Sequence, residues 1–193
     1  MNDKRKWESL LARVASALLL MSSAWAGTAP LSLQTVTKAA GLIFKGQVIR
    51  VERVPSNFGT DEAMQITFRV TQAMRGTRTS QMLTIREWAG LWRHRGEQYR
   101  VGEKVMLFLY RNNHMGLTSP VGGRAGRFEI DEQDNVALRP EQVKMIKDKL
   151  ARITVVAPIQ VKPGSSSINE SVRAPLIRSQ DLMRLVRQEA MQR

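Results

Sequence analysis

Four glycines and two arginines crowd the run HMGLTSPVGGRAGRFEI, residues 114–130: Gly116, Gly122, Gly123 and Gly126 with Arg124 and Arg127. The amides of a Gly-rich loop can cradle a phosphate, and arginines can neutralise it. That chemistry asks for G-x-x-x-x-G-K-[ST] between a strand and a helix, so that the helix N-terminus faces the anion. No Lys-Ser or Lys-Thr stands here, and the run leads into RFEI, a strand pattern. The dinucleotide fingerprint fails for the same want of a following helix. The loop is therefore expected to be a wide turn into a strand, with at least one of Gly122, Gly123 and Gly126 at positive φ.

Other catalytic sets are equally sparse. The chain has two histidines, His94 and His114, and no cysteine. Neither histidine lies near a G-x-S-x-G elbow, and nucleophilic catalysis needs a base beside its nucleophile. Metal centres gather three or four ligands, which two separate histidines do not supply. No spacing singles out a carboxylate pair. The expectation is a non-enzyme without metal or cofactor.

One constellation remains, REWAGLWRHRGEQYR. It interleaves Trp88, Trp92 and Tyr99 with Arg86, Arg93, Arg95 and Arg100. Aromatic rings beside arginines stack bases or form hot spots for protein binding. The competing reading has the tryptophans capping a core and the arginines solvated. The candidate interaction surface is Trp88, Trp92, Arg93, Arg95, Tyr99 and Arg100, joined by Arg124 and Arg127 of the glycine loop.

The elements that must position these residues follow from periodicity. LSLQTVTKAA spaces Leu33, Val36 and Ala40 as a helix does, with Ser32 as N-cap. GLIFKGQVIRVERV reads as a long strand whose apolar phase slips, which predicts a bulge at Gly46. MQITFRVT alternates, with Met64, Ile66, Phe68 and Val70 inward. QMLTIREW follows with Leu83 and Ile85 on one face. VMLFLY is apolar throughout, so it is expected to be central, and RFEI is a short fifth strand. RPEQVKMIKDKLARI then returns to helical spacing. VKPGSSSINESVRAP reads as linker, and SQDLMRLVRQEAMQR as an amphipathic helix capped by Ser179.

The first 26 residues order Lys4, Arg5 and Lys6, an apolar stretch from Val14 to Met21, and the small-x-small pattern Ala24-Trp25-Ala26. This is the order of a secretory signal peptide cleaved after Ala26, and the apolar stretch is too short to span a membrane. The chain carries +13, of which the first 26 residues contribute +2, leaving +11 on the remainder. Such a charge attracts polyanions, although the basic residues are scattered. The expected organisation is a signal peptide over 1–26, a barrel domain over 27–137 and a helical and linker extension over 138–193. Five strands, the first long and coiled, predict a mainly β, five-stranded Greek-key barrel of the OB type.

GLIFKGQVIRVE, ITFRVTQAMRG, YRVGEKVMLFLY and GLTSPVGGRAGRFEI also resemble a set of exported bacterial proteins. These have an OB-like barrel similar to the netrin and tissue-inhibitor-of-metalloproteinase fold. The matching positions are Gly46 and Val48; Phe68, Val70 and Gly76; Val101, Gly102, Glu103, Val105, Phe108 and Leu109; Gly126 and Phe128. The resemblance spans about residues 31 to 130 and implies fold more than function. The animal inhibitors chelate zinc through an N-terminal cysteine, which this chain lacks, so that mechanism does not transfer. The resulting expectation is an exported, non-catalytic, protein-binding module in the periplasm or outside the cell, without a stable membrane anchor after cleavage. A binder of polyanions or single-stranded nucleic acid is the alternative. An apolar protein interface would be insensitive to salt, whereas polyanion binding would weaken steeply.

Overall fold

The computed structural model describes residues 31–55, 62–93, 99–151, 155–156 and 175–191. The signal-peptide reading of residues 1–26 lies outside these residues, as do most of the expected linker and His94.

The chain is mainly β. Its elements are α1 (Leu33–Ala39), β1 (Leu42–Pro55), β2 (Glu62–Arg75), β3 (Met82–Trp88), the short α2 (Gly90–Arg93), β4 (Lys104–Leu109), a 3-10 turn (Gly123–Gly126), β5 (Arg127–Ile130), β6 (Asn135–Ala137), α3 (Pro140–Leu150), β7 (Val155–Val156), β8 (Leu176–Arg178) and α4 (Ser179–Met191). The strands form one antiparallel sheet in the order β3-β2-β1-β4-β5-β6-β8-β7. This open sheet replaces the expected five-stranded closed barrel. The reason lies after β5: the chain turns back into β6, and β8 pairs with β6, so the sheet extends where a barrel would close. A segment between β4 and the 3-10 turn does reach the far edge. There the Thr118 amide donates to the Arg86 carbonyl of β3 at 2.8 Å, and the Tyr110 amide to the Ser119 carbonyl at 3.0 Å.

β4 divides two cores, as a strand apolar on both faces must. Met106 and Phe108 point to one core and Val105, Leu107 and Leu109 to the other. The first core lies between the sheet and three helices. It joins Leu33 and Val36 of α1, Met145 and Ile146 of α3, and Leu182, Met183, Leu185 and Val186 of α4 to Ile43, Phe128, Val136 and Ile177. The second core is built mainly from β1 to β4, with Phe44, Val48, Ile66, Phe68, Val70 and Ile85 closed over by Trp92 and Tyr99. Strands can cover their own core only if they coil. The β1–β2 register slips at three points, between Ile43 and Phe44, Lys45 and Gly46, and Val48 and Arg50, as the phase change around Gly46 predicts. A Cβ on Gly46 would come within 2.9 Å of the Arg69 carbonyl.

The boundary expected between a barrel domain and a C-terminal extension does not divide the fold. Leu31–Arg193 is one compact unit. β8 and α4 carry side chains into the same core as α1, and polar ties reinforce the docking. Lys45 bonds Asp134 and Ser179, the Ser179 hydroxyl donates to Asp134 at 2.6 Å, and Lys149 pairs with the buried Glu189. Ser179 thus binds a neighbouring turn instead of acting as the expected N-cap. Ser32 does cap α1, its hydroxyl accepting from the Thr35 amide at 3.1 Å. At the other end of α1, Arg75 donates to the Thr37 and Ala40 carbonyls at 2.6 and 3.0 Å.

Candidate functional site

The aromatic and basic constellation divides between the interior and the surface. Trp92 and Tyr99 are buried, 8% and 2% exposed, and belong to the second core. Burial here corrects their place on the candidate surface, and its cause is a neighbouring residue of β3. Ile85 faces the core, and two residues on Glu87 does as well, fully buried. Its carboxyl accepts from Trp92 Nε1 at 3.2 Å and from the Tyr99 hydroxyl at 3.1 Å. A buried acid requires such donors. Burial pushes its pKa up to about 7, although Tyr99, Trp92 and the charge of Arg127 all pull the other way. Burial and then the charge of Glu87 hold the Tyr99 hydroxyl well above its ordinary value.

Arg127 is equally committed. Its guanidinium lies 4.6 Å from the centre of the Tyr99 ring and 2.5 Å from Glu103, with Glu129 at 3.5 Å. Its side chain is mostly buried. It acts as a structural cation between a ring and a carboxylate, not as a surface contact. Arg100 and Arg124 are exposed and line, with Arg127, a broad groove of about 890 Å³. That groove mixes charges, because Lys104 and Arg139 share its walls with Glu103, Glu129, Asp131 and Glu132. The glycine loop ends there as a turn. Gly122 and Gly123 have φ of 67° and 64°, and a Cβ on Gly126 would meet the Val121 carbonyl at 2.4 Å. Arg95 lies outside the described residues, as does the side chain of Arg93.

Trp88 alone of the three aromatics faces out, 48% exposed. It stands in a second groove of about 430 Å³ with Leu91, Tyr110, Met115 and Leu117. Tyr110 is 42% exposed. The walls are held in place by local bonds. The Trp88 ring lies so close to Gly90 that a Cβ there would sit 2.4 Å from it. Tyr110 is fixed on both sides of its backbone, its amide bonded to Ser119 and its carbonyl accepting from the Thr118 hydroxyl at 2.7 Å. Asn113 Oδ1 accepts from the Met115 and Leu117 amides at 2.9 and 3.0 Å, locking the turn that carries both apolar side chains. α2 joins the two sites: Trp92 holds its inner side to Glu87, and Leu91 lines the groove.

Strand alternation alone places Glu87 inward and Trp88 outward, since Leu83 and Ile85 set the phase. Tyr110, Met115 and Leu117 carry no comparable signal, because they meet Trp88 only through the return of segment 117–119 to the β3 edge.

Among the described residues no group of acids and histidines could hold a metal ion, and no helix is long and apolar enough to cross a membrane. Comparison with family models, curated proteins and solved structures finds no match to this chain.

Proposed function

We propose that this is an exported, non-catalytic binding module that docks a protein partner in the groove of Trp88 and Tyr110. The observation that carries the reading is the pair of half-exposed rings on a preorganised wall. Aromatic anchors in a pocket dominate binding energy at protein interfaces, and fixing them beforehand lowers the cost of association. The groove's volume lies within the range of small binding pockets. The N-terminal order of cations, apolar stretch and Ala24-Trp25-Ala26 supports export. Burial of Trp92 and Tyr99 weighs against the nucleic-acid alternative, since buried rings offer no face for a base.

The test is retention of envelope proteins by the immobilised full chain at low and high salt. A partner kept at high salt and lost with Trp88→Ala supports the reading. Binding that falls steeply with salt and ignores Trp88 would transfer the function to the scattered positive charge.

A further inference from the structure

The groove of Trp88 has a charge asymmetry that specifies its occupant. Among the described residues its one lining carboxylate, Glu62, is paired with Arg53 at 3.0 Å. Among the same residues its one lining cation, Arg111, has no acidic partner. The Arg111 stem packs over Gly41, where a Cβ would sit 2.2 Å from its Cγ. Trp88, Leu91, Tyr110, Met115 and Leu117 form its apolar wall, and Asn113, Thr118 and Ser119 add uncharged polar groups. The site therefore offers a mainly apolar slot with an arginine in its lining, on a chain of net charge +13. A guanidinium of this kind selects a carboxylate through charge-assisted, bidentate hydrogen bonds.

Resting on the docking reading above, we infer that the groove takes a short acidic segment of another protein, with an aromatic or large apolar side chain against Trp88 and Tyr110 and a side-chain carboxylate on Arg111. Leu91, Met115 and Leu117 favour a protein side chain over a nucleobase, whose polar edges they would leave unpaired. A nucleic-acid strand also needs a row of cations to follow its phosphates, and among the described residues this groove supplies one.

The experiment is selection of a random heptapeptide library, displayed on phage, against the full chain, with Trp88→Ala and Arg111→Gln as parallel targets. Melting temperatures verify that both variants fold. The expected winners place Phe, Trp or Leu beside Asp or Glu. As synthetic peptides they should lose about tenfold or more in affinity with either substitution, a change of ~1.4 kcal/mol or more. Winners that are neutral or basic, yet need Trp88, would overturn the carboxylate inference and leave the docking reading standing. Recovery unchanged by Trp88→Ala would overturn both. A fluorescein-labelled oligothymidylate that binds more tightly than any selected peptide, and is released by Trp88→Ala, would overturn the inference in favour of nucleic acid.

Discussion

Glu87 carries a carboxyl group into a core of aromatic rings, and its ionisation should be visible in the protein's stability. Its pKa rises from an ordinary 4.5 to about 7 on folding, chiefly through burial. Between these values the folded protein binds more protons than the unfolded one, so stability falls as pH rises through that window. The full difference is ~3 kcal/mol at 1.4 kcal/mol per pKa unit. Glu87→Gln should flatten this dependence, with its one amide oxygen accepting from Trp92 and its NH2 donating to the Tyr99 hydroxyl. Denaturant midpoints of both proteins between pH 5 and pH 8 check it, and parallel slopes would contradict it. Trp92 in α2 and Trp88 just before it should respond unequally. Trp92→Ala empties part of the second core and should cost ~3–5 kcal/mol. Trp88→Ala touches a half-exposed ring and should cost ~1 kcal/mol or less. Chemical denaturation of the two variants compares them directly.

At the scale of elements, the periodic segments are legible in the sequence. The five strand patterns correspond to β1 through β5, and β4 is covered on both faces. The phase slip in β1 marks the bulges that let the sheet coil. The pattern does not reveal β6, β7 and β8, two or three residues each, too short for alternation to register. Their pairing is nonlocal, since Val136 of β6 meets Ile177 of β8, and nothing in the local sequence announces it. Without those three, five strands look like a closed barrel. The site is half legible for a related reason. Trp88 stands out by type and by phase, but its companions arrive from another segment. The glycine turn gives a prediction at this scale. Gly122 is left-handed, and a Cβ there would meet Leu31 Cδ2 at 2.5 Å. Gly122→Val should destabilise by ~1–3 kcal/mol, whereas Arg124→Ala, on an exposed side chain, should change stability little. Thermal melts of the two variants rank them, and equal effects would refute the turn's role.

For the whole molecule, the decisive fact is that one core runs from α1 to α4. The Ser/Gly/Pro-rich composition of residues 161–175 suggests a removable tail, yet Ile177, Leu182 and Val186 are fully buried beside Leu33 and Phe108. A chain cut after Ile153 should therefore lose cooperative unfolding. A milder form, Leu182→Ala, should cost ~2–5 kcal/mol. Differential scanning calorimetry detects either loss, and a truncated chain melting like the full one would show that α4 is dispensable. Export belongs to this scale as well. N-terminal sequencing of the protein recovered from its native cells should begin at Gly27, and a start at Met1 would remove the exported reading. The outward Trp88 and the inward Trp92 and Tyr99 divide binding from packing. The most direct measurement is the affinity of Trp88→Ala for a salt-resistant partner, set beside its melting temperature. The expected result is a loss of ~2 kcal/mol or more in binding, as for an interface hot spot, in a protein that still melts within a few degrees of the unaltered chain. Unchanged affinity in that variant would contradict it.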